Sequence, residues 1–138
     1  MYDEGVRNHY FAQTPEGDIY ENVVWPGDSV FPDYTSSTVR TWWGSQTNLL
    51  VDQGISGIWN DMNEPASFRG PLPENVVFPG DDIPRLHKEV HNVYGHLMAK
   101  ATYEGLKETS GKRPFVITRA CYSGSQKYST AWTGDDQS

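Results

Sequence analysis

A chain of 138 residues with 36% hydrophobic content is long enough for one hydrophobic core but not for two. A net charge of −7 without a basic patch excludes nucleic acid as a partner, and with no Gly-rich loop ending in Lys-Ser or Lys-Thr, polyphosphate substrates are disfavoured and no cofactor is expected. The single cysteine, Cys121, excludes an internal disulfide framework or a Cys-based zinc site and favours a reducing, cytoplasmic compartment, while no apolar run approaches the roughly 20 residues of a membrane helix.

Met1-Tyr2-Asp3-Glu4 has no basic region followed by an apolar stretch, so no signal peptide is expected. Tyr10-Phe11-Ala12 and Ile19 to Val24 are β-prone and flank Thr14-Pro15-Glu16-Gly17-Asp18, which predicts an N-terminal hairpin. Trp25-Pro26-Gly27-Asp28 is expected to break that strand. Thr35-Ser36-Ser37 are N-cap types ahead of a helix from about Ser37 to Asp52, with Val39, Trp42, Trp43, Leu49 and Leu50 on its apolar face and Gly54 as its stop. Ile55 to Asn60 reads as a short buried strand, and a Pro- and Gly-rich loop follows from Pro65 to about Pro84. A second helix is predicted from about Arg85 to Thr109, with Val90, Val93, Leu97, Met98 and Ala101 as its stripe and Gly111 after it. Pro114 to Thr118 and Tyr128 to Trp132 complete the strands.

Strands alternating with helices argue for a parallel sheet with helical crossovers. The last strand has no helix after it before Ser138. A piece of a larger α/β barrel is therefore expected, since such barrels need about 250 residues. The fold expected is a partial (β/α)8 barrel holding roughly the middle strands. Residues 1–34 would be a hairpin-rich insert, and 35–138 barrel strands and helices.

The densest polar cluster, Trp59-Asn60-Asp61-Met62-Asn63-Glu64-Pro65, falls where a strand gives way to a loop. Catalytic residues of a parallel barrel gather at that end of the strands. A polar turn with Asp61 or Asn63 capping backbone groups would use the same residues. Ala131-Trp132-Thr133-Gly134-Asp135-Asp136 repeats the placement on a later strand, which would set Asp61 and Asp135 across one opening. Two carboxylates over an aromatic-lined pocket suit glycoside cleavage, one attacking while ionised and the other carrying a proton. The content of five Trp and eight Tyr fits, because flat ring faces stack on the C–H edges of sugars, although core packing uses the same residues. Arg119 follows the strand ending at Thr118, where a guanidinium would hold a carboxylate ionised or donate to sugar hydroxyls. His87 and His91 have a zinc-compatible spacing, but Lys88 stands where a metalloprotease needs Glu, and no metal is expected.

These residues resemble glycoside hydrolase family 31. Trp59 to Pro65 is similar to the nucleophile motif of its α-glucosidase branch, Trp-x-Asp-Met-Asn-Glu-Pro. Val24-Trp25-Pro26-Gly27 with Phe31-Pro32-Asp33 resembles its upstream segment, and Arg119 through Asp135 its block ending in Trp-Thr-Gly-Asp. The resemblance runs from Tyr2 to the last residue. It implies a retaining α-glucosidase acting on terminal α-linked glucose, with Asp61 as nucleophile and Asp135 as acid/base. It further implies that Arg119, Trp25, Trp59, Met62 and Trp132 bind the sugar, with Glu64 in support. An oligosaccharide or α-glucoside is the implied partner, with neither nucleic acid nor membrane. Further substrate-binding Asp and His residues of the family have no counterpart here, so the segment alone is expected to be inactive. A transglycosylase, an α-glucan lyase and a catalytically silent binding or regulatory homologue are the alternatives.

Overall fold

A computed structural model of the chain describes residues 1–134. A short helix, α1 (Tyr2–Arg7), opens the fold, and a hairpin follows from β1 (Glu21–Val24) and β2 (Gly27–Val30). Next come α2 (Ser37–Gln46), α3 (Asn48–Val51) and β3 (Ile58–Asn60). The ribbon of β4 (Val77–Phe78) and β5 (Arg85–Leu86) leads into the long helix α4 (His87–Ser110). Strand β6 (Val116–Thr118), a 3-10 turn at Ser125–Lys127, and β7 (Thr130–Ala131) end the described chain.

Strands β3, β6 and β7 form one parallel sheet in that order, with Asn60 beside Thr118 and Thr118 beside Ala131. Adjacent parallel strands need a crossover, and α4 supplies it between β3 and β6. The three strands with α4 make a partial barrel segment. Helix α4 also packs along α2, and the two cross where neither helix carries a side chain. A Cβ on Gly105 would lie 2.4 Å from the Gly44 Cα, closer than any real contact. The main core gathers Phe31, Tyr34, Val76 and Phe78 against Val90, Tyr94 and Ala101 of α4. A smaller cluster of Phe11, Val39 and Trp42 seats α2 on the N-terminal segment. No described helix is long and apolar enough to cross a membrane.

The N-terminal hairpin is present, one turn later than the sequence suggests. The Thr14–Asp18 turn closes through Thr14 N–H to the Asp18 carbonyl at 2.7 Å, but pairing across it is short, a bridge of Gln13 and Ile19 with Tyr20 N–H donating to the Ala12 carbonyl at 2.9 Å. The strand ends at Val24 as expected, and Trp25-Pro26 turns it into β2, which starts at Gly27 with φ 105°. The helix expected over 37–52 is divided at Thr47, whose buried hydroxyl donates to the Gly44 carbonyl. Val39 and Trp42 are buried as expected, whereas Leu49 is 65% and Leu50 37% exposed, so the apolar face ends at the break. The strand expected over 55–60 is trimmed to Ile58–Asn60 and that over 128–132 to Thr130–Ala131. Helix α1 carries no apolar stripe to announce it, and packs instead by setting Gly5 on the Phe11 ring. The loop through 65–84 conceals β4, which pairs with β5 and is also held by Gln13, distant in sequence.

Candidate functional site

Parallel pairing puts the C-terminal ends of β3, β6 and β7 on one edge. Backbone bonds continue past the strands: Arg119 N–H donates to the Asn60 carbonyl at 3.2 Å, and Trp132 N–H to the Thr118 carbonyl at 2.7 Å. Asp61, Arg119 and Trp132 therefore leave the sheet side by side.

The loop after β3 turns at Met62, whose φ of 53° is uncommon for a residue with a side chain. That turn presents two acids to one guanidinium. Arg119 meets Glu64 at two points, Nε to Oε1 at 2.9 Å and Nη2 to Oε2 at 3.0 Å. Its Nη1 lies 3.4 Å from Asp61 Oδ1. Such a fork-to-fork contact fixes the plane of the guanidinium as well as its position. Asp61 Oδ1 is buried and has no hydrogen bond among the described residues, while the side chain as a whole is 34% exposed. A buried carboxylate oxygen without a hydrogen bond is costly, and the adjacent cation offsets that cost.

Below the loop, polar groups are buried and paired. Asn60 and Thr102 share hydrogen bonds of 3.2 Å, and Trp43 Nε1 donates to the same Thr102 hydroxyl at 3.0 Å. Asn63 is 2% exposed; its Nδ2 donates to Thr118 Oγ1 at 2.8 Å, and its Oδ1 accepts from Ala120 N–H at 3.3 Å.

Of the aromatic residues singled out from sequence, Trp59 and Trp132 come together, with ring centroids 5.8 Å apart at 60°. Trp25 stands apart from them at the β1–β2 turn, edge-on to Phe68 at 4.8 Å and largely exposed. Phe68 N–H donates to the Val23 carbonyl, so the hairpin is tied to the loop that follows Glu64. Asp61 and Met62 also line a cavity of about 250 Å³ whose other walls include Tyr34, Trp42, Trp43 and Tyr94. Burial pushes both phenols well above their ordinary value, so these walls stay neutral. Trp25, Trp59 and Trp132 are not among the walls.

Asp135 lies outside the described residues, so its distance from Asp61 is not part of this geometry. His87 is buried and lies against His91, with ring centroids 4.7 Å apart and tilted by 37°, but no cluster of three or more His, Cys, Asp or Glu suited to a metal occurs among the described residues. Cys121 is an exposed loop thiol. The sequence pointed to Glu64 only as a support; its two-point hold on Arg119 is the stronger finding. The sequence offered Asn63 as a cap for backbone groups, and its Oδ1 does accept from Ala120 N–H; its bond to Thr118 was not foreseen, because nothing in their spacing of 55 residues signals a contact.

The model for the glycosyl hydrolases family 31 TIM-barrel domain matches residues 1–138. "Alpha-glucosidase 2" of Bacillus thermoamyloliquefaciens is 49% identical over 141 residues, covering 100% of this chain and 18% of the relative. Human "Neutral alpha-glucosidase C" is 45% identical over 144 residues, covering 99% and 15%. Among solved structures, an ER glucosidase II heterodimeric complex superposes with a TM-score of 0.86 at 36% identity over 97% of this chain and 15% of its own. A family 31 dextranase of Flavobacterium johnsoniae complexed with glucose superposes with a TM-score of 0.84 at 31% identity, over 97% of this chain and 17% of its own. The chain thus spans between 15% and 18% of the length of these relatives. On the strength of a match along its whole length, the chain belongs to glycoside hydrolase family 31.

Proposed function

We propose that this chain is the carboxylate-bearing segment of a retaining α-glucosidase, whose activity belongs to the polypeptide that completes the barrel. In this reading residues 1–34 are an insert rich in hairpin structure, and 35–138 supply barrel strands and helices. The substrate is an oligosaccharide or other α-glucoside with a terminal non-reducing α-linked glucose. Relatives named as α-glucosidases, and glucosidase II solved with a Glc1Man2 ligand, support that substrate class.

The observation that carries the reading is the meeting of Asp61, Glu64 and Arg119 at the carboxyl edge of three parallel strands. Asp61 is the nucleophile. With Oδ1 turned to the guanidinium, Oδ2 is the oxygen left to attack the anomeric carbon. Asp135 is assigned the acid/base role from its motif: it protonates the departing oxygen and then deprotonates water. Two inversions return the α-configuration. Glu64, with both oxygens held by Arg119, serves as anchor rather than as acid. Trp59 and Trp132, which come together, offer faces against which the glucose ring rests, while Trp25 and Met62 are assigned to the same subsite from their motifs. For double displacement the two acids stand about 5 to 6 Å apart.

The test is hydrolysis of p-nitrophenyl α-glucoside by the complete polypeptide, with the configuration of the first-formed glucose read by NMR. Release of α-glucose, lost in Asp61→Ala, is expected, and the isolated chain is expected to show no turnover. Release of β-glucose, or full activity in Asp61→Ala, would refute the mechanism. Product chromatography separates hydrolysis from the related outcomes, since anhydro sugar marks a lyase and longer oligosaccharide a transglycosylase. A complete polypeptide without turnover would mark a silent homologue.

A further inference from the structure

Asn63 occupies a position in the site that the reaction chemistry does not explain. Its carboxamide is buried and used at both ends: Nδ2 donates to Thr118 Oγ1 at 2.8 Å, and Oδ1 accepts from Ala120 N–H at 3.3 Å. Thr118 Oγ1 in turn donates to the Ala120 carbonyl at 2.9 Å. Thr118 and Ala120 are the residues on either side of Arg119. Asn63 itself sits between the two acids that Arg119 contacts, Asp61 and Glu64. The grip is therefore reciprocal, the loop after β3 holding the backbone around Arg119 while the guanidinium holds that loop's carboxylates.

Helix α4 presses the two partners together. A Cβ on Gly95 would stand 2.6 Å from the Ala120 Cβ and 2.7 Å from the Asn63 carbonyl oxygen, so only a glycine lets the helix come so close. With the backbone fixed on three sides, the side chain at 63 must offer a donor and an acceptor at once. Of the residues of this size only asparagine does: aspartate has no donor, and leucine has neither.

From this ring of contacts we infer that Asn63 is a positioning residue, whose carboxamide sets the approach of Arg119 to Asp61. The inference rests on the reading of Asp61 as nucleophile. It separates the residue that attacks from the residue that fixes the register of the attack.

The experiment is steady-state kinetics of the complete polypeptide on p-nitrophenyl α-glucoside, with thermal midpoints measured in parallel. Three variants are compared: Asn63→Asp, which keeps shape and acceptor but loses the donor; Thr118→Val, which removes the hydroxyl; and Thr118→Ser, which restores it. Misplacing a reacting group by about 1 Å costs on the order of 100-fold in rate. Asn63→Asp and Thr118→Val are expected to lose about that much in kcat, with KM moving less than about twofold. Thr118→Ser is expected to regain most of the rate. Should Asn63→Asp fail to fold, the Thr118 pair decides alone. Unchanged kcat in Thr118→Val, or an equal loss in Thr118→Ser, would overturn the inference. An inactive parent protein would instead remove the nucleophile reading on which it stands.

Discussion

Glu64 and Arg119 meet edge to edge, with both carboxylate oxygens within 3.0 Å of guanidinium nitrogens, while the third nitrogen reaches toward Asp61. One acid thus fixes the cation that serves the other.

That arrangement makes Glu64 more than a loop charge. Glu64→Gln keeps the shape but loses the charge and one of the two acceptors, so the two-point hold that sets the guanidinium beside Asp61 is weakened. A loss of about 10- to 100-fold in kcat is expected in the complete polypeptide, with a larger loss for Glu64→Ala. Steady-state kinetics would check it, and a Glu64→Ala protein as fast as the parent would contradict it.

The crossing of α2 and α4 makes an asymmetric prediction about two glycines. Replacing a helical glycine by alanine favours the helix by about 1 kcal/mol, so alanine wins wherever space allows. At Gly44 the new Cβ would lie 3.1 Å from Gly105 Cα, a crowding that small shifts can relieve. At Gly105 it would lie 2.4 Å from Gly44 Cα and 2.5 Å from its carbonyl oxygen, which only separation of the helices relieves. Gly105→Ala should cost about 1–3 kcal/mol and Gly44→Ala much less, as read by urea unfolding. Equal midpoints would refute the packing described here.

His87 is buried against Phe78 and His91, with Nδ1 unpaired among the described residues. Burial lowers its pKa below the ordinary value, the neighbouring His91 adds to this, and Glu74 opposes it. A histidine depressed in the folded state binds its proton more readily once unfolded. Stability is therefore full above the unfolded value of about 6.5 and falls as pH drops below it. His87→Phe should flatten the dependence of the thermal midpoint between about pH 5 and 7. An unchanged slope would show that the acid sensitivity lies elsewhere.

Asp81 acts at lower pH. The Ser36 hydroxyl first, then the Ser37 backbone N–H, hold its carboxyl down at about 2 from an ordinary 3.8. These contacts fasten the loop around 79–82 to the start of α2, where Asp33 also accepts from Gly80 N–H at 2.6 Å. A depressed carboxylate contributes stability that is present above the unfolded value and lost as pH falls through about 2. Asp81→Asn should bring the acid-unfolding midpoint to higher pH, followed by circular dichroism. A midpoint unmoved by the substitution would count against the clasp.

Much of the site was legible from the chain alone because its chemistry is carried by short runs. Trp59 to Pro65, Arg119 and Trp132 declare their residue types whatever the fold does, and alternating strand and helix patterns implied the parallel sheet that brings them to one edge. The long helix was equally plain, since Val90 to Ala101 repeat at helical spacing and Gly111 stops it with φ 63°. The errors arose where local preference was outweighed. The 37–52 pattern continued through Leu49 and Leu50, yet the helix breaks at Thr47, whose buried hydroxyl bonds back to the Gly44 carbonyl, and resumes as the short α3 with Leu49 and Leu50 exposed.

What the sequence by itself determined, then, was the set of candidate groups and the class of fold that would collect them. Only the tertiary structure decided which group holds which: that Glu64 faces Arg119, that Asn63 grips Thr118 and Ala120, and that Trp25 leans on Phe68 apart from Trp59 and Trp132. The reason is physical. Side-chain chemistry is a property of each residue, whereas a hydrogen bond between residues 55 positions apart exists only once parallel strands are in register and a glycine on α4 lets them close.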